Sequence, residues 1–285
     1  MSVVAHPRAG SAGSTARRLP DGWAVLALPM ALFFLLPLAA LLWRGAPDRL
    51  WASVRQPVVL SAISLSLVTT GQATALSVLL GTPAALLLAR RRTRLAGVLD
   101  ALVDLPTVLP PAVAGVALLL AFGRRGLVGS ALSGVGLHLA FTRAAVVMAQ
   151  GFVSAPLFVR AAAVGFAGVD AELEHAAALD GATPWQCFRS VTVPLAWEAL
   201  ASGAAMAWAR ALGEFGATII FAGNLPGRTQ TMPLAIYMGF ETDYDVAVAL
   251  SLVLLGLSLL VLAMVKGVLR RTGGVGREVC SSRAP

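Results

Sequence analysis

The stretch 246–265 reads VAVALSLVLLGLSLLVLAMV and holds no charged side chain. A helix of about 20 apolar residues crosses a bilayer, and in hydrocarbon its backbone groups must be satisfied within the segment. This run therefore dictates a membrane-spanning helix, and five further runs join it. Residues 23–43 are bounded by Trp23 and Trp43, a residue type that favours membrane interfaces. Residues 58–89 lead into Arg90, Arg91, Arg92 and Arg94, residues 98–122 are interrupted by Pro106, Pro110 and Pro111, and a plainer run covers 143–164. The run at 194–222 carries Glu198, Arg210 and Glu214 and would score poorly on hydropathy alone. Only 13% of the chain is charged, about half the share of soluble domains, roughly 25%. That excludes a disordered chain and an ordinary soluble enzyme. The expected fold is an all-α integral membrane protein with about six transmembrane helices.

The basic residues orient it. With the N-terminus inside, the inner segments hold fourteen of the 22 Lys and Arg residues and the outer segments seven, while Arg210 lies within a span. The positive-inside rule then puts both termini in the cytoplasm and requires an even number of spans. The chain divides into a flexible cytoplasmic tail (1–22), a first transmembrane helix with an outer loop (23–57), a core (58–265) and a cytoplasmic C-terminal tail (266–285). A signal peptide would have an apolar core of about 7–15 residues ending in a small-residue cleavage site. Here the first run ends Leu41-Leu42-Trp43-Arg44, so an uncleaved span is expected. The formal charge of +8 is read as topology. Cys187 and Cys280 both fall on inner segments, where no structural disulfide is expected. Three histidines without ligand spacing give no metal site.

The inner loop 168–194 is the most informative segment. Asp170 is placed to cap a helix whose first turn holds Glu172 and Glu174, where the positive dipole end favours acids. Gly181 is a helix-ending residue. Thr183 opens a second helix, with Pro184 at its first position and Gln186 completing a capping box. Ala176, Ala177 and Ala178 let that helix pair lie close against another protein. A DNA-reading helix-turn-helix is the competing reading, but its second helix should carry several base and phosphate contacts. Trp185-Gln186-Cys187-Phe188-Arg189 offers one arginine and runs into Pro194 and a span, so no nucleic-acid partner is expected.

The spacing Glu174-His175-Ala176-Ala177, Gly181, Val191-Thr192-Val193-Pro194 resembles the EAA loop of permease subunits in bacterial ABC importers. His175 stands where that motif usually has glutamate, and Glu174, one residue earlier, is the candidate replacement. Val191 and Val193 stand for the usual isoleucine and leucine. The resemblance implies that Glu174, His175, Ala176, Ala177, Gly181 and Pro194 couple the chain to an ATP-binding subunit.

Residues 209–237 include Ala209-Arg210-Ala211-Leu212-Gly213-Glu214-Phe215-Gly216-Ala217-Thr218, and upstream lie Asp104-Leu105-Pro106-Thr107-Val108-Leu109-Pro110-Pro111 and Phe122-Gly123-Arg124-Arg125-Gly126. These segments resemble the molybdate branch of the molybdate/sulfate oxyanion permeases, and the likeness extends over roughly 58–265. It implies the ABC importer permease fold, in the plasma membrane of a bacterium. It further implies a homodimer of this chain on two ATP-binding cassette subunits, with an extracytoplasmic molybdate-binding protein delivering the anion.

Residue by residue, Arg210 and Glu214 are four apart and share a helix face. They read as an internal ion pair or as a wall of the anion's route. Pro106, Pro110 and Pro111 form a candidate gate or a static break. Arg228 is a candidate binding-protein contact, with a simple solvated arginine as the alternative. The one lysine, Lys266, is followed by Gly267, so the chain lacks a phosphate-cradling loop. It is expected to be no enzyme and to bind no cofactor, with ATP and Mg used by the partner. The nearest alternative substrate class is sulfate or thiosulfate. A secondary transporter driven by an ion gradient, expected to show inverted repeats, and a membrane scaffold are remoter readings.

Overall fold

The computed structural model describes residues 22–45, 47–90 and 94–281. The expected N-terminal tail (apart from Gly22), Arg91, Arg92 and residues 282–285 lie outside the described residues. The chain forms two units. The first contains one described helix, α1 (Gly22–Arg44), with Pro29 and Pro37 inside it. Apart from the terminal Arg44, its described side chains are apolar and almost all exposed, which is the pattern of a helix solvated by lipid.

The second unit begins at Gly45. In chain order it holds α2 (Pro47–Val54), α3 (Pro57–Arg90), α4 (Arg94–Val108), α5 (Pro111–Phe122), α6 (Gly129–Gly134), α7 (Arg143–Ala167), α8 (Ala171–Leu179) and α9 (Pro184–Cys187). A π-helical turn at Phe188–Thr192 leads into α10 (Val193–Leu212), followed by α11 (Gly216–Ala222), α12 (Met232–Thr242) and α13 (Tyr244–Ser281).

The centre of this unit is α3, α7 and α10 packed side by side. Hydrophobic exclusion adds little between helices in lipid, so close approach through small residues has to hold them. A Cβ added at Gly203 of α10 would lie 2.7 Å from the Ala161 side chain of α7, and one at Gly165 of α7 would lie 2.5 Å from that of Ala199. Three buried hydroxyls of α3 are satisfied inside the helix. Thr69, Thr70 and Ser77 donate to the carbonyls of Leu65, Ser66 and Ala73 at 2.9, 2.7 and 2.8 Å.

Among the described residues, four helices are long and apolar enough to cross a membrane: Leu26–Arg44, Pro57–Arg90, Arg143–Ala167 and Tyr244–Gly267. The pair α4 and α5, bent by 119°, makes a fifth if read as one broken span. α10 has 20 residues but carries Glu198 and Arg210, and it is not among these helices, as its composition predicts.

Four expectations change in detail. The run at 98–122 turns at Leu109 and Pro110, while Pro106 sits inside α4 without breaking it. Pro110 and Pro111 lack amide donors and disfavour helix at the residue before them, which ends α4. The run at 194–222 is two helices, because Gly213, Glu214 and Phe215 separate α10 from α11. The loop after Ala222 turns back into the protein. Thr229, Gln230 and Thr231 are buried, and the Met232 amide donates to Ser66 Oγ of α3 at 2.7 Å. The C-terminal segment expected as a tail from 266 is helical through Ser281.

Candidate functional site

The loop between α7 and α10 folds as its caps dictate. Asp170 accepts from the Glu172 amide at 2.9 Å. Thr183 and Gln186 form a reciprocal capping box, with the Thr183 amide donating to Gln186 Oε1 at 2.8 Å. Gly181 turns the chain at φ +88°, a conformation costly for any residue with a Cβ. The hairpin presents His175, Ala176, Leu179 and Trp185 outward, all exposed, and Pro194 is exposed at the foot of α10. Leu179 is 89% and Trp185 67% exposed.

Glu174 turns the other way. Its two carboxylate oxygens accept from Arg90 Nη2 at 3.0 and 3.1 Å, and Thr192 Oγ1 donates to Oε1 at 2.6 Å. The sequence reading made Glu174 the candidate replacement for the motif's glutamate at an ATP-binding subunit; in the structure its carboxylate bonds the end of α3. Aromatic rings add a second link, with Trp185 beside Phe188 (5.5 Å between centroids) and Phe188 beside Phe166 of α7 (6.1 Å). A cavity of about 480 Å³ lies under the hairpin, lined by Leu86, Arg90, Phe166, Glu174, His175 and Phe188 among others.

The second polar centre lies at the break between α10 and α11. Arg210 Nη1 and Glu214 Oε2 are 2.9 Å apart, and the Glu214 side chain is 1% exposed against 36% for Arg210. Glu214 Oε1 also accepts from the Ala217 amide at 2.8 Å, which satisfies a donor of the first turn of α11. The two broken runs meet here. A Cβ added at Gly216 would lie 2.8 Å from Pro111, and one at Gly115 would lie 2.9 Å from the Ala217 carbonyl oxygen. So the structure brings Pro110 and Pro111 to the break that Glu214 caps, and leaves Pro106 within α4. Arg228 is exposed on the turn after α11. The neighbouring Gly227 carbonyl accepts from Arg143 Nη2 at 3.3 Å, tying that turn to the start of α7.

One cluster escaped the sequence reading. Arg160 of α7 bonds both Asp100 and Asp104 of α4, with Nε to Asp104 Oδ1 at 2.8 Å. The signal was present, since two acids at i and i+4 in an apolar helix need a cation. Arg90 was read only as a topology marker.

A bundle of long apolar helices, two of its runs broken and a capped helical hairpin set between two of its members, defines a multi-pass membrane transport component. Residues 78–274 match the family described as binding-protein-dependent transport system inner membrane component, and the chain belongs to that family. It is therefore a multi-pass inner-membrane protein. Over 240 residues it is 46% identical to the molybdenum transport system permease protein ModB of Mycobacterium bovis, covering 84% of this chain and 91% of that one. It is 34% identical over 261 residues to a probable sulfate transport system permease protein, cysT, of Chlorokybus atmophyticus, covering 90% and 91%. Among solved structures it is similar to a bacterial ABC transporter involved in the import of the acidic polysaccharide alginate, with a TM-score of 0.60, 20% identity and coverage of 88% and 96%. That last likeness concerns the fold alone.

Proposed function

We propose that this chain is the transmembrane permease of an ATP-driven importer that carries molybdate, with tungstate as a second anion, across the plasma membrane. The observation that carries the reading is the capped hairpin α8–α9, whose apolar outward face is rigidly joined to the spans on either side. Two copies of the chain enclose the pathway, and a symmetric dimer is the simple way to wall it. Each copy seats one ATP-binding cassette subunit on its hairpin, and ATP and Mg²⁺ belong to those subunits. A binding protein delivers the anion from outside. The arginine bias supports cytoplasmic termini, and α10 is read as the sixth span, its Arg210 paired with the buried Glu214. Closure of the ATP-binding subunits pulls on the hairpin and switches the pathway from inward- to outward-facing.

Molybdate is favoured over sulfate because the 46% identity to a molybdenum permease exceeds the 34% to a sulfate permease. The test is uptake of radiolabelled molybdate by cells that lack their own molybdate permease and express this chain with its ATPase and binding protein. The reading expects uptake that excess tungstate competes away and excess sulfate does not. Accumulation of sulfate alone would overturn the substrate, and molybdate uptake persisting with a hydrolysis-dead ATPase would overturn the ATP-driven class.

A further inference from the structure

We propose that Arg90 and Glu174 form a strut that transmits hairpin movement into α3, making both positioning residues for coupling; this rests on the reading of the hairpin as the ATPase dock. The hairpin is joined to α7 and α10 by the chain and by the Trp185, Phe188 and Phe166 rings. No chain segment leads from it directly to the end of α3, which lies 84 residues away in sequence and packs on α7. Arg90 is the last residue of α3, and both oxygens of Glu174 are engaged by its guanidinium.

The same carboxylate takes the hydroxyl of Thr192, a residue 1% exposed where the π-helical turn enters α10. The carbonyl of Glu174 meets Cys187 Sγ of α9 at 3.8 Å. One side chain therefore ties α8 to α3 and to the start of α10. The Arg90 side chain is 56% exposed, and a pair so exposed adds little to folding stability. Its consequence is register: α8 cannot shift relative to α3 while the charge-assisted bonds hold. The inward commitment of Glu174 also explains why the outward face is left to His175, Leu179 and Trp185.

The test uses the full transporter, permease with ATPase and binding protein, in liposomes. Arg90→Ala should assemble and hydrolyse ATP like the wild type, yet raise the ATP consumed per anion delivered by about 5-fold or more, the low end of typical coupling effects. Glu174→Gln should fall between, and the exchanged pair Arg90→Glu with Glu174→Arg should return the ratio towards wild type. A second readout does not depend on the anion. Spin labels at Leu87→Cys in α3 and Glu172→Cys in α8, with Cys187 and Cys280 replaced by serine, report the spacing of the two helices. That spacing should hold through the ATP cycle in the parent and become broad or nucleotide-dependent with Arg90→Ala.

An unchanged ATP-to-anion ratio together with an unchanged spacing in Arg90→Ala overturns the strut. If the parent complex moves no oxyanion but the labels behave as expected, the substrate assignment falls and the strut stands. If the permease does not bind the ATPase at all, the coupling reading falls and the strut with it.

Discussion

Replacing Glu214 separates a structural carboxylate from one that lines an anion's route. Removing one partner of a buried ion pair costs about 3–5 kcal/mol when the other charge stays buried. Arg210 is 36% exposed, so the pair is only half buried and this part of the cost falls below that range. The Ala217 amide does not recover, because Ala217 is fully buried and its acceptor at 2.8 Å is gone. An orphaned buried donor costs about 1–3 kcal/mol. Glu214→Ala should therefore destabilise the permease by about 3 kcal/mol. Glu214→Gln keeps an oxygen for that amide and should cost about 1 kcal/mol, the charge-assisted part of the bond. Thermal unfolding in detergent, followed by tryptophan fluorescence, gives the order wild type, Gln, Ala. Uptake by the Gln variant should survive. The reasoning fails if the two variants unfold together, or if Gln changes anion uptake strongly while leaving stability untouched.

The packing seams and turns make further expectations. Gly115→Ala drives a Cβ to 2.9 Å from a backbone oxygen of α11 that cannot retreat, which should cost about 1–3 kcal/mol in unfolding. Gly256→Ala in α13 meets nothing within 4 Å and should be neutral or stabilising by up to about 1 kcal/mol. Gly181→Ala at φ +88° should weaken the hairpin by about 1–2 kcal/mol. Gly181→Pro, which also loses the amide bond to the Ala178 carbonyl, should abolish ATP-coupled uptake. Arg160→Ala strands two carboxylates on an apolar helix; each would cost about 2.5–3.5 kcal/mol at the bilayer centre, an upper bound for these half-exposed acids. Adding Asp100→Asn and Asp104→Asn should restore at least half of the lost thermal stability.

Local signals in the sequence read well and tertiary ones did not. Asp170, Gly181, Thr183 and Gln186 act on neighbours within a few residues, so the hairpin and its turn were legible before any coordinates. So was the poor hydropathy of α10, since Glu198 and Arg210 sit in the run itself. The prolines at 110 and 111 announced a break, but the 119° angle comes from packing of α5 on α11 through Gly115 and Gly216. The split at Glu214 is closed by its own bond to the Ala217 amide, and the buried Thr229–Thr231 segment is held where the Met232 amide meets Ser66 across the bundle. The bond from Glu174 to Arg90 was not legible for the same reason: Arg90 is brought to it by the packing of α3 beside α7.

The most direct test of the account is ATP hydrolysis by the purified transporter in liposomes, with the binding protein loaded in turn with molybdate, tungstate and sulfate. The account predicts stimulation by the molybdate- and tungstate-loaded protein, none by the sulfate-loaded one, and none when the hairpin carries Gly181→Pro. Stimulation by sulfate alone, or full stimulation with the hairpin disrupted, would contradict it.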